Sequence, residues 1–175
     1  MSRILILFTL ILVFYTRFLW PDVQLIMTPD FGKSDSWHSS ISAKSLLSRS
    51  LHEGKIPLWT QSIGRGVPVL AEGLVGALYP PHLLVFTLFD APTGIIVMYI
   101  INALTIGTGM YLWMTSRGYS AASGLFAAVT ITFSGITMTQ LTHLALLPAQ
   151  ALIPWILWAT RRLALSASPR NIALF

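Results

Sequence analysis

TGIIVMYIINALTIGTGMYLWM, Thr93 to Met114, carries no charged residue over its whole length. Coiled as a helix at about 1.5 Å per residue, it is long enough to cross the roughly 30 Å hydrocarbon core of a bilayer. Three other apolar stretches flank it: Ile4 to Trp20, Ala121 to Thr139, and Leu144 to Ala159. The chain is 54% hydrophobic and 10% charged, against about 25% charged residues in an ordinary soluble domain. The expected fold is therefore an all-α integral membrane protein, a helical bundle of about four spans.

Each span has readable ends. Ile4 to Trp20 follows Arg3, and Arg17 lies where a long side chain snorkels to the interface beside Trp20. With no A-x-A-like cleavage site before Pro21, it reads as an uncleaved first span rather than a signal peptide. Gly118-Tyr119-Ser120 is a tight connection with Ser120 as helix cap, which makes the spans on either side antiparallel neighbours. Asn171 to Phe175 begins another apolar run, so a longer chain is expected, of which this is the N-terminal part.

Between the first two long apolar stretches lies a polar one, residues 21–81, whose core reads TPDFGKSDSWHSSISAKSLLSRSLHEGKIPLWTQSIGRGVPVLAEGLVGALYPP from Thr28 to Pro81. A helix is expected from the Ser34-Asp35 cap to Glu53, with Gly54 as its stop. At 100° per residue Trp37, Ile41, Ala43, Leu47 and Leu51 share one arc and Asp35, His38, Ser42 and Arg49 the opposite one, while Lys44 and Ser48 intrude on the apolar side. Such a helix lies along a membrane surface. Lys55 to Trp59 is extended, Gly64 to Pro68 is a turn, Val69 to Tyr79 is a short helix or re-entrant piece, and Pro80-Pro81 opens the next helix. Gly64-Arg65-Gly66 lacks the flanking strand and G-K-[ST] of a phosphate loop.

The arginines orient the chain. Arg3, Arg117, Arg161, Arg162 and Arg170 fall on one side of the assigned spans, with no carboxylate among them. The positive-inside rule makes that side cytoplasmic, with the N-terminus, and leaves the 21–81 loop extracytoplasmic. The net charge of +5 is dispersed and accompanied by no nucleic-acid recognition motif, so the expected partner is the lipid bilayer and not nucleic acid. With no cysteine, disulfides and thiolate metal sites are excluded.

Candidate chemistry gathers in the loop. Asp35 is placed either to accept a proton from an acceptor hydroxyl or to cap the helix behind it. Asp30 assists, and Asp30, Asp35 and His38 together offer hard oxygens and an imidazole for a divalent cation. Arg49, Lys55 and Arg65 are suited to a lipid-linked phosphate. His82 and His143, at outer ends of spans, are placed to meet a phosphate or a substrate hydroxyl. Asn102 and Gln150, within apolar runs, are expected to bond neighbouring helices.

The order of these features, with PDFGKSDSWHSS, then GKIPLWTQSIGRGVPVLAEGLVGALYPPHLL, then TFSGI and LTHLALLPAQALIPW, resembles the YfhO-like bacterial membrane proteins and the wider GT-C group of polyprenyl-phosphate-dependent glycosyltransferases. The resemblance runs over nearly the whole chain and the N-terminal part of such a protein. It implies a multispan helical fold in a bacterial cytoplasmic membrane, with an interfacial helix and an essential acidic residue in the first outer loop. It also implies a polyprenyl-phosphate-linked sugar donor; Asp35, then Asp30, match the acidic position. The alternative is a non-catalytic membrane protein, an envelope-assembly scaffold or transporter component, whose 28–81 loop binds lipid or a partner.

Overall fold

A computed structural model describes residues 2–26, 40–62 and 64–165. Regular structure among them is helical: α1 (Ser2–Thr16), α2 (Ile41–His52), α3 (Pro80–Leu88), α4 (Ala91–Ser116), α5 (Ala121–Thr132), α6 (Gly135–Thr139), a 3-10 turn (Gln140–Thr142) and α7 (Leu147–Leu165). Two of these stretches, Ala91–Ser116 and Ala121–Thr142, are long and apolar enough to cross a membrane. The residues fall into two compact units: residues 1–14, 101–138 and 147–175, and residues 15–100 and 139–146.

α4, whose residues 91–100 belong to the second unit and 101–116 to the first, extends two residues beyond the expected span at each end. It stops where Gly118 turns to φ +89 and the Tyr119 amide reaches back to Met114 O, a left-handed close that glycine makes without steric cost. Ser120 then caps α5, accepting from the Ser123 amide at 3.1 Å. Ser120→Ala is expected to cost about 1 kcal/mol, the usual value of such a cap, read as a lowered thermal midpoint in detergent.

The expected Ala121 to Thr139 span is not one unbroken helix. The Ser134 and Thr137 hydroxyls both take Ile131 O, at 2.9 and 2.7 Å, and Ser134 Oγ accepts from the Thr137 amide. Side chains thus replace backbone partners where α5 ends and α6 begins. Gln150 on α7 donates to Thr137 Oγ1 at 3.2 Å, an interhelical bond of the expected kind. α7 carries Pro154 internally, and Trp155 donates its indole N–H to Thr105 O at 2.8 Å. Gly109 makes room: a Cβ there would stand 2.6 Å from the Trp155 ring.

α1, with 15 residues, is shorter than the expected Ile4 to Trp20 span and ends in a turn at Arg17. Leu7 and Ile11 on it are buried, whereas Leu5, Ile6, Leu10, Leu12 and Val13 are exposed.

The second unit contains most of the loop. α2 is seen from Ile41 onward; Asp30, Asp35, Trp37 and His38 lie outside the described residues. Gly54, at φ +70, ends the helix as expected. Lys55 to Trp59, expected to be extended, has no regular secondary structure, and Thr60 and Val67 pair antiparallel through bonds of 3.0 and 2.9 Å. The Gly64-Arg65-Gly66 turn serves packing, because a Cβ on Gly66 would meet the Trp59 indole at 2.6 Å from Nε1. Val69 to Tyr79 forms successive turns instead of a helix, the last at Gly76 with φ +61. Tyr79 is extended, as a residue before proline prefers, and Pro80 and Pro81 start α3.

Candidate functional site

α2 turns Lys44, Leu47 and Ser48 inward and Ser42 and Arg49 outward. Lys44 is 1% exposed. Its Nζ donates to Val75 O at 2.6 Å and lies 3.2 Å from His82 Nδ1. The same Nδ1 is 3.1 Å from Gly76 O. With its proton on Nε2 the imidazole accepts from Lys44; with the proton on Nδ1 it donates to Gly76 O. The His82 ring stands edge-on to Tyr79 at 4.9 Å and to Phe86 at 5.5 Å. The Lys44 ammonium lies 5.8 Å from the Phe86 ring centre. One turn along α2, Ser48 donates to Phe89 O at 3.0 Å. These contacts pin α2 to the Val75–Gly76 turn, to α3 and to the residue before Asp90.

Among the described residues no carboxylate takes part in this junction. Burial lowers Lys44 to about 8. Burial first, and then the Lys44 charge, lower His82 to about 4, against the opposing pull of the Gly76 carbonyl. At neutral pH Lys44 is therefore a cation and His82 a neutral ring, 4% exposed, that meets protein and not solvent.

On the flank beside this junction lies an open cleft of about 380 Å³, lined by Ser45, Ser48, Arg49, His52 and Glu53 of α2 and by Asp90, Ala91 and Pro92. Asp90 immediately precedes α4 and accepts the Gly94 amide at its carbonyl, 2.8 Å. The cleft combines one guanidinium, one imidazole and two carboxylates at the start of an apolar helix. Such a site can hold an anionic group on Arg49 while a carboxylate orients a hydroxyl.

The expected phosphate-binding residues do not converge. Arg49 lines the cleft. Lys55 is tied to Glu53 at 3.3 Å, both well exposed. Arg65 is exposed in the turn between Thr60 and Val67 and is not in the cleft lining. His82, expected to meet a phosphate or hydroxyl, is sealed against Lys44. His143 is exposed, with Nδ1 3.3 Å from Thr142 Oγ1. Asp30, Asp35 and His38, the expected catalytic and metal-binding group, fall outside the described residues; among those described, no three acidic or histidine side chains gather as a metal site.

Asp90 and His52 were not legible as site residues, because only the fold brings Asp90 to α2. Lys44 carried a signal, since it shares the arc of Leu47 and Leu51. No family model, no curated protein and no solved structure matches the chain. What fold and site define is an all-helical chain with two potential membrane-crossing helices and a mixed-charge cleft where the first of them begins.

Proposed function

We propose that the chain is a membrane protein that binds a lipid-phosphate-linked sugar in the α2–Asp90 cleft and transfers the sugar to an extracytoplasmic acceptor, as a glycosyltransferase of the GT-C kind or its N-terminal part. The observation that carries this reading is a cleft at the head of an apolar helix whose lining combines Arg49 and Glu53 of α2 with Asp90. Arg49 neutralises the charge that develops on the departing lipid phosphate. Asp35, on the stretch leading into α2, takes the proton of the attacking hydroxyl. Lys55 pairs with Glu53 and is not in the cleft lining. The arginine distribution supports a cytoplasmic N-terminus with the cleft outward, and the bacterial cytoplasmic membrane is what the resemblance implies. The exposed apolar face of α1 fits a lipid surrounding.

The test is transfer from a polyprenyl-phosphate sugar by the full-length protein. Arg49→Ala is expected to lower turnover about 100-fold, the usual loss of one charge-stabilising donor. Asp35→Asn is expected to abolish transfer, and Arg65→Ala to leave it within about twofold, since solvated charges outside a site matter little. Transfer unchanged in Arg49→Ala removes the cleft from the mechanism.

A second reading is a non-catalytic membrane protein, an envelope scaffold or transporter component, that binds lipid or a partner through the loop. The dispersal of Lys55 and Arg65 away from the cleft and the use of Lys44, Ser48 and His82 as backbone pins favour it. It predicts no sugar transfer in any variant, with lipid or partner capture weakened by loop substitutions.

A further inference from the structure

After Asp90 the sequence contains no Asp or Glu through Phe175, yet it holds Arg117, Arg161, Arg162 and Arg170. Two of these arginines stand at one place. The last turns of α4 and α7 enclose a cleft of about 490 Å³ lined by Leu112, Thr115, Ser116, Trp158, Arg161, Arg162 and Leu165. Arg161 Nε donates to Ser116 O at 3.0 Å, which satisfies a carbonyl that the end of α4 leaves open and places a cation at the negative end of the helix dipole. That bond orients the guanidinium and uses only one of its nitrogens. The Arg162 guanidinium stacks 5.0 Å above the Trp158 ring.

An apolar path leads to this basic end. Ile153, Leu157 and Arg161 follow one another at four-residue spacing along α7, and so lie on one face. Ile153 and Ile156 are 53% and 56% exposed, and Leu157 and Leu165 are exposed too. A guanidinium pair offers forked donors to phosphate oxygens. A tryptophan at the boundary between such a pair and an aliphatic file is the pattern of a membrane interface.

We infer that the C-terminal ends of α4 and α7 form a binding site for an anionic phospholipid, its phosphate held by Arg161 and Arg162 and its acyl chain lying along Ile153, Ile156 and Leu157. The charge of the cleft selects the occupant: two guanidinium groups without a carboxylate in the lining favour a net-negative headgroup over a zwitterionic one. The inference rests on the membrane part of the proposed function and is independent of sugar transfer.

The full chain is reconstituted in phosphatidylcholine nanodiscs containing a minor fraction of phosphatidylglycerol, extracted in mild detergent, and analysed for lipid retained per chain by mass spectrometry. Wild type is expected to retain phosphatidylglycerol in preference to phosphatidylcholine. Arg162→Gln, at an exposed position, is expected to lower that retention about fivefold and Arg161→Gln/Arg162→Gln further, at the usual weight of a basic residue near an anionic lipid surface. Arg117→Gln removes the same charge just beyond α4 but outside the cleft, and is expected to leave retention unchanged. Equal loss in Arg117→Gln would mean diffuse attraction and overturn the site. So would equal retention of the two lipids, or displacement of the lipid by excess inorganic phosphate. Release of wild-type chain from vesicles by alkaline carbonate would instead overturn the membrane reading, whereas chain that stays in the vesicles without lipid preference overturns only this inference.

Discussion

Replacing Gly76 with alanine is expected to destabilise the fold by about 3 kcal/mol, the sum of a conformational part of about 1–2 kcal/mol and an overpacking part of about 1–3 kcal/mol. Gly76 sits at φ +61, which an L side chain rarely adopts. Its added Cβ would also stand 2.6 Å from His82 Nδ1 and 2.9 Å from Cε1, with Lys44 Nζ at 3.6 Å. The imidazole is no loose side-chain end, since Tyr79 and Phe86 hold its edges and face. It yields only by leaving Lys44, whose ammonium then loses one of its two neutral acceptors. Gly54→Ala separates the two parts: Gly54 has a similar φ of +70 and nothing within 4 Å of the added carbon, so it reports the conformational part alone. Gly73, with open space around it, is expected to tolerate alanine within about 0.5 kcal/mol, as surface positions do. Denaturant unfolding in detergent ranks the three variants. A Gly76→Ala loss no greater than that of Gly54→Ala would show that His82 moves freely and is not pinned.

The parts of the fold that local chemistry decides were legible before any coordinates. α4 matches its expectation within two residues at each end because an uncharged apolar run, bounded by Gly118, admits no competing structure. The Ser120 cap, the Gly54 stop and the Pro80-Pro81 start are equally local. The break after α5 was not legible. It depends on the Ser134 and Thr137 hydroxyls choosing Ile131 O over solvent or neighbours, a choice that residue type alone does not make. The Val69 to Tyr79 turns are not legible for a related reason, since the left-handed Gly76 lies against His82 and Lys44, contacts that only the fold brings together. In the site, periodicity correctly set Arg49 and Ser42 on the outer flank of α2. It also put Lys44 and Ser48 among the apolar positions, where they looked like errors in the pattern. Their acceptors lie 31 to 41 residues away in sequence, beyond the reach of any helical wheel.

Lys44 and His82 should make stability depend on pH in two separate windows, each of about 3 kcal/mol at 1.36 kcal/mol per pKa unit. The sign is the same in both. Lys44 falls from its ordinary 10.5 to about 8 in the folded chain, so between those values the unfolded chain carries a proton that the folded one does not. Stability must then rise with pH: this contribution is fully present above 10.5 and is lost as pH falls through about 8. His82 goes from 6.5 to about 4, so its contribution is present above 6.5 and is lost as pH falls through about 4. Neither window involves a partner carboxylate, which would have pushed a lysine the other way. Lys44→Met keeps the length of the side chain and removes the charge. It is expected to flatten the alkaline rise altogether and to move the acid loss to higher pH, because the Lys44 charge is the second cause of the His82 shift. His82→Phe is expected to remove the acid contribution. It leaves the alkaline one, since burial alone lowers Lys44. Thermal midpoints in detergent from pH 4 to pH 10.5, taken as differences between variant and wild type, cancel the exposed carboxylates common to all. A wild-type midpoint that does not climb above pH 8, or a Lys44→Met midpoint that climbs equally, would mean that the ammonium is solvated and that α2 is held to the Val75–Gly76 turn by packing alone.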